Sequence, residues 1–284
     1  MSKIHGGNIF QFAHEQRIKP YEVVDFSANI NPLGPSQRGL DALNAQLRYI
    51  SHYPDATNDD VLNAIADTYG MDKYQIIVGN GAAELLYAIC RLPGYTGAFV
   101  PAPGFSEYKE ALEASKIPVR DIFYRPREDD NGKPYFEVPY LALETFAAEL
   151  KGQDGRIIVF LGNPNNPDGT LLDKDHIRTV ASMLKDANSL LVIDESFIDF
   201  VGNDPLQDNE HSMRSLVNEF DNIIVVHSFT KFYAVPGLRI GAAFTNKTLI
   251  TQLQQYIPSW SVNTLAQAYT KAALNDVDYI KRTK

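Results

Sequence analysis

The sequence predicts an α/β fold with a site along the carboxyl edge of its strands, and three observations carry that prediction. Short apolar runs rich in branched residues, such as Ile157–Leu161, Leu190–Ile193 and Val225-Val226, read as buried strands. Helical patterns lie between these runs, the clearest an amphipathic stretch at about 173–188. Polar motifs containing Gly, Pro and Asn follow the strands. That alternation is the pattern of α/β proteins, whose ligands bind beyond the carboxyl ends of the strands.

Composition excludes several alternatives. The 284 residues suffice for one large domain or two. A formal net charge of −9 disfavours a nucleic-acid partner, which calls for basic patches. The single cysteine, Cys90, rules out an internal disulfide framework and suits a reducing, cytoplasmic setting. Its simplest role is a small buried residue in a helix. The first residues have no apolar signal-peptide core, and no run is long enough to span a membrane. No metal is expected.

Residues 1–35 read as an irregular, turn-rich arm containing His5-Gly6-Gly7-Asn8 and Asp25–Gly34. Two helical patterns follow over 36–70, joined at Ser51–Asp55 around Tyr53-Pro54. Gln75–Val78 is a short strand. Gly79-Asn80-Gly81-Ala82-Ala83-Glu84 then opens a helix, with Gly81 placed as N-cap and Glu84 closing a capping box three residues on. The small residues Gly81, Ala82 and Ala83 leave the first N–H groups open to an anion, which the helix dipole favours. A lone Gly-x-Gly would equally suit a plain strand–turn–helix joint.

Ala98–Val100 is a second strand, and Phe105 beyond its end can stack on a planar ring or cap the core. Residues 116–155 alternate strand-like and helical patterns without evident chemistry. The strand Arg156–Leu161 runs into Asn163-Pro164-Asn165-Asn166-Pro167-Asp168-Gly169. Leu190–Asp194 ends a fully apolar strand on a carboxylate, which is costly there unless a cationic partner faces it. The tail, 247–284, reads as two helices separated by Ile257–Trp260.

The richest stretch is Val225–Gly241. A buried strand breaks into Ser228-Phe229-Thr230-Lys231, and a Pro-Gly turn leads to Arg239. Two hydroxyls, a lysine and an arginine make a cradle for a phosphate dianion. Like charge and desolvation push the lysine's pKa down, toward the free amine that forms Schiff bases. An isolated Ser-x-Thr-Lys would be no more than a surface lysine after a core strand.

Together, Ser-x-Thr-Lys and the following Gly-Leu-Arg-x-Gly resemble the lysine segment of fold-type I pyridoxal-phosphate (PLP) enzymes, the aspartate aminotransferase superfamily. The resemblance covers essentially the whole chain. It implies the large domain of that fold, a mostly parallel sheet flanked by helices. A C-terminal small domain, which supplies an arginine for the substrate carboxylate, has no counterpart here. The expected organisation is an N-terminal arm at 1–35, a PLP-binding large domain at 36–270, and the start of a connection at 271–284.

The same resemblance implies residue roles. Lys231 would bear PLP, Asp194 would keep the pyridine nitrogen protonated, and Phe105 would stack on the ring in preference to Tyr108. Asn166, the second Asn of its turn, would donate to the phenolic oxygen. Ser228, Thr230, Arg239 and the 81–83 turn would hold the phosphate. Tyr53 would reach the phosphate of a partner subunit, making the protein a homodimer. Within the superfamily, Asp194-Glu195-Ser196-Phe197-Ile198-Asp199-Phe200 is similar to the threonine-phosphate decarboxylase branch, as are the arm and Trp260–Asn263. Many relatives carry a tyrosine where Phe197 stands, and a threonine where Asp168 stands. His5, Gly6 and Asn29 of the arm would meet a small phosphorylated amino-acid substrate. The expected activity is decarboxylation of L-threonine O-phosphate for cobalamin synthesis. The alternatives are histidinol-phosphate aminotransferase and a non-catalytic PLP-binding fragment or partner subunit.

Overall fold

The computed structural model of the chain describes residues 6–149, 155–202 and 209–284. In chain order its helices and strands are α1 (Ile9–Gln16), α2 (Gln37–Gln46), α3 (Asp59–Tyr69), β1 (Ile76–Gly79), α4 (Gly81–Cys90) and β2 (Tyr95–Ala102). Then come α5 (Glu107–Ala114), β3 (Val119–Phe123), the hairpin β4 (Arg125–Glu128) and β5 (Pro134–Glu137), α6 (Tyr140–Glu149), β6 (Arg156–Gly162) and α7 (Lys174–Asp186). The last are β7 (Leu190–Asp194), β8 (Ile223–Ser228), α8 (Phe229–Phe232), β9 (Gly241–Phe244), α9 (Lys247–Gln254), α10 (Thr264–Ala273) and α11 (Val277–Thr283).

Seven strands form one sheet in the order β1-β9-β8-β7-β6-β2-β3. Neighbours pair in parallel except at β9, which runs antiparallel to both β1 and β8. The apolar strands explain why the sheet is covered on both faces. Alternate residues of β6, β7 and β8 point opposite ways. Val159, Leu191 and Val225 join one core with α3, α7 and α10, while Phe160, Val192 and Val226 join the other with α4, α5 and α9. No helix among the described residues is long and apolar enough to cross a membrane.

Three local expectations are corrected. The arm is not wholly irregular: the Asn8 side chain caps α1, although Ala13 is that helix's one buried residue. The tail holds three helices, because Asp276 caps α11 by accepting from the N–H of Tyr279, and Tyr279 and Ile280 are buried. Glu84 does reach back to the start of α4, but it accepts from the N–H of Asn80 at 2.6 Å, one residue before the Gly81 cap that the spacing predicts.

Candidate active site

The carboxyl ends of β2, β6, β7 and β8 lie side by side and surround a cavity of about 510 Å³. Asp194, the last residue of β7, enters it nearly buried. One carboxylate oxygen, Oδ1, accepts from the N–H and Oγ of Ser196 at 2.9 and 2.6 Å. The other, Oδ2, accepts from the phenol of Tyr108 at 2.9 Å. Burial and the negative charge of Asp194 hold the Tyr108 hydroxyl well above its usual pKa, so it stays a donor. The Tyr108 ring is itself stacked on Phe160 and meets Phe105 edge to face. Three neutral donors from two residues hold the carboxylate in place, and a cation in the cavity would complete its partners.

From β8 the chain passes through Ser228 into the single turn α8, which carries Lys231. The hydroxyls of Ser228 and Thr230 lie 2.8 Å apart. Burial lowers the pKa of Lys231, the repulsion of Arg239 lowers it further, and Asp194 opposes both. The balance favours the neutral amine more than it does in a solvated lysine.

Arg239 reaches the same edge because β9 is reversed. Gly79 at the end of β1 pairs with Gly241 at the start of β9, so the residues before β9 emerge where the other strands end. Arg239 adopts a left-handed backbone, φ 59°, and its guanidinium lies directly over Gly81. Gly81 has φ +79°, and a Cβ there would collide with the guanidinium. Gly241 is equally close to α4: a Cβ on it would stand 2.5 Å from the N of Ala82. The side chain of Asn80 makes no cap to the first N–H groups of α4, and Ala82 and Ala83 of its first turn line the cavity with Arg239.

The turn after β6 is braced from below. The buried amide of Asn163 donates to Glu195 and to the carbonyl of His211, and accepts from the N–H of Leu172. Glu195, fully buried, also accepts from Ser212, from the N–H of Met213 and from Arg214. On β8, His227 pairs with Asp199 at 3.0 Å, and the Tyr69 hydroxyl donates to the same carboxylate at 2.9 Å. These networks fix the strand ends, and Asn166 is carried onto the cavity wall.

The structure brings together Lys231, Asp194, Ala82, Ala83, Phe105, Asn166, Ser228, Thr230 and Arg239 from the body, with Gly6 and Asn29 from the arm. Gly81 lies beneath Arg239, just behind the wall. Tyr53 is 79% exposed and stacks on Trp260, outside the cavity of its own chain. His5 lies outside the described residues. Sequence reasoning did not anticipate the hydrogen bonds of Tyr108 and Ser196 to Asp194. Ser196 carried a signal, since a Ser two residues after an Asp is a common side-chain turn. Tyr108 carried none beyond being an aromatic near a strand end.

A family model for class I and II aminotransferases matches residues 21–283. The chain belongs to this family. Threonine-phosphate decarboxylase of Salmonella typhimurium is 34% identical over 278 residues, 96% of this chain and 70% of that protein. Histidinol-phosphate aminotransferase of Methanothermobacter thermautotrophicus is 30% identical over 284 residues, 99% of this chain and 70% of that protein. The crystal structure of L-threonine-O-3-phosphate decarboxylase from Porphyromonas gingivalis superposes with a TM-score of 0.72 at 25% identity, over 91% of this chain and 71% of that one. The chain thus spans about 70% of these proteins, and 30% of a longer bifunctional relative.

Pyridoxal 5′-phosphate is the cofactor that goes with this family, and the donor set fits it. A helix N-terminus, two hydroxyls and an arginine converge as an anion cradle, and the glycine beneath the arginine cannot carry a Cβ without losing it. A carboxylate for a ring nitrogen and an amine of lowered pKa face the same space.

Proposed function

We propose that the protein is a PLP-dependent decarboxylase of L-threonine O-3-phosphate. The observation that carries this reading is Phe197, which lines the cavity beside Asp194 and has no hydroxyl to donate. The similarity to threonine-phosphate decarboxylase over almost the whole chain supports it. In this reading Lys231 bears the cofactor, and Asp194, held by Tyr108 and Ser196, keeps a proton on the ring nitrogen. Ser228, Thr230, Arg239 and the N–H groups of residues 81–83 hold the phosphate. Phe105 stacks on the ring and Asn166 donates to its oxygen. Gly6 and Asn29, with His5, face the substrate. A second copy brings Tyr53 to the phosphate, which accounts for a tyrosine so exposed in the single chain.

When bound, PLP supplies an electron sink for the pair left at Cα as the carboxylate departs as CO₂. The protein's part is to hold the ring protonated through Asp194 and to fix which Cα bond stands perpendicular to the ring, through anchors on the substrate.

A second reading, histidinol-phosphate aminotransferase, is favoured by 30% identity over the full chain to such an enzyme. Incubation of the PLP-loaded protein with L-threonine O-phosphate separates the two. The decarboxylase releases CO₂ and keeps PLP as the aldehyde. Pyridoxamine phosphate without CO₂ would reject that assignment in favour of transamination, and PLP uptake without either product, from this substrate and from histidinol phosphate alike, would point to a non-catalytic binding role.

A further inference from the structure

Lys231 sits in a helix of four residues, Phe229–Phe232. One turn does not hold itself together, because the cost of nucleation is not repaid within it. Its incoming side is fixed by β8. Its outgoing side is fixed by three consecutive carbonyls, each bonded by a group from elsewhere in the chain. The carbonyl of Lys231 accepts from the N–H of Asn31 at 3.1 Å, in addition to its own turn. The carbonyl of Phe232 accepts from Nδ2 of Asn31 at 2.8 Å, and the Tyr279 hydroxyl shares its one hydrogen between that carbonyl at 2.9 Å and the carbonyl of Gly34 at 2.8 Å. The carbonyl of Tyr233 accepts from the Tyr269 hydroxyl at 2.8 Å, and that oxygen in turn accepts from the N–H of Ser36.

Asn31 is the centre of this arrangement. It is 4% exposed, and Tyr279 Oη and Thr283 Oγ1 also lie within hydrogen-bonding reach of its Nδ2 at 3.0 and 2.9 Å, so its two N–H groups are shared among three acceptors. Its Oδ1 accepts from the N–H of Leu33, which shapes the arm around it. Burial pushes the Tyr279 hydroxyl up to about 12, so it remains a donor across the working range. Two residues before Asn31, Asn29 lines the cavity. The arm therefore touches the cavity with one asparagine and holds the backbone of the lysine with the next but one.

We propose that Asn31 is a positioning residue for Lys231, which with Tyr279 sets the depth of the lysine under the cavity and ties it to docking of the N-terminal arm. The proposal rests on Lys231 being the cofactor-bearing residue, and its test is read without cofactor so that the two can fail separately. Trinitrobenzenesulfonate labels free amines, and peptide mass spectrometry reads the extent at Lys231 as a function of pH. The parent protein should show a midpoint below the roughly 10.4 of a solvated lysine. In Asn31→Ala the midpoint should move upward toward about 10.4, as water enters where the backbone has moved outward. Tyr279→Phe, which keeps the ring and removes only the hydroxyl, should move it the same way by less.

A purely structural role would lower thermal stability and leave the midpoint in place. An unchanged midpoint in the folded variants overturns the proposal. Should Asn31→Ala not fold, Tyr279→Phe alone decides, by the same criterion. Borohydride capture of PLP on the parent tests the cofactor assignment by itself: no pyridoxyl group on Lys231 sinks that assignment, whatever the midpoints show.

Discussion

Replacing Gly81 by alanine perturbs the anion cradle in a way whose two parts can be separated. The residue has φ +79°, where a side chain costs roughly 1–2 kcal/mol of folding stability. The new Cβ would also occupy the space of the Arg239 guanidinium, whose Cζ would lie 2.9 Å away. That guanidinium is the end of a flexible chain, so it can swing aside at little further cost to folding. Swung aside, it no longer faces the start of α4. Loss of one charge-assisted contact to a phosphate is worth about 1.5–3 kcal/mol. At 1.36 kcal/mol per decade that is roughly 10- to 150-fold in PLP affinity. Absorbance titration of PLP into the parent, Gly81→Ala, Arg239→Leu and the double variant measures the terms. If Gly81 acts through Arg239, alanine at 81 should cost little further affinity once Arg239 is gone, a non-additivity of similar size. Strict additivity, or undiminished affinity in Gly81→Ala alone, would refute the reasoning.

Two further outcomes follow from the same site. Burial and Arg239 lower the pKa of Lys231, so its proton opposes folding. The penalty is complete below the folded pKa and disappears as pH rises to the unfolded value of about 10.4. Lys231→Met without cofactor should then be more stable than the parent near neutral pH, with an advantage that shrinks toward about pH 10.4 in denaturant unfolding; a difference independent of pH would contradict the shift. Tyr108→Phe removes a buried donor to Asp194 and should cost about 1.5–3 kcal/mol in unfolding free energy, so an unchanged denaturation midpoint would mean that the phenol is not holding the carboxylate.

Much of this site was legible because its parts are local. The apolar runs of β6, β7 and β8 announce buried strands, and the polar residue that ends each run falls on the sheet edge by necessity. Asn166, Asp194, Ser228, Thr230 and Lys231 could be placed together from that rule and from the resemblance. The contacts that were not legible join distant residues. Tyr108 lies 86 positions from Asp194, and Asn31 lies 200 or so from the carbonyls that it holds. No periodicity encodes such pairs. α11 was missed because a seven-residue helix gives too short a pattern, and only the short turn Leu274-Asn275 and the cap at Asp276 separate it from α10. The position of Tyr53 becomes meaningful only with a second chain, which one sequence cannot place.

The reversed strand β9 shows how topology supplies what residue types alone cannot. It is four residues long, Gly241-Ala242-Ala243-Phe244, too short and too poor in branched residues to read as a strand. Had it run parallel to β8, the residues before it would have emerged at the amino edge of the sheet, with Arg239 across the sheet from Lys231. Antiparallel pairing on both sides, Gly79 with Gly241 and Ser228 with Gly241, puts its first residue level with the last residues of its two neighbours. Arg239 then arrives between the end of β8 and the start of α4. There it reaches the anion cradle and lowers the pKa of the lysine with the same charge. The Pro236-Gly237 turn is what allows the chain to leave α8 and return at that level. On the proposed function, phosphate grip and amine reactivity thus depend on one reversal of strand direction, and a loop inserted between Ala234 and Arg239 should disturb both together.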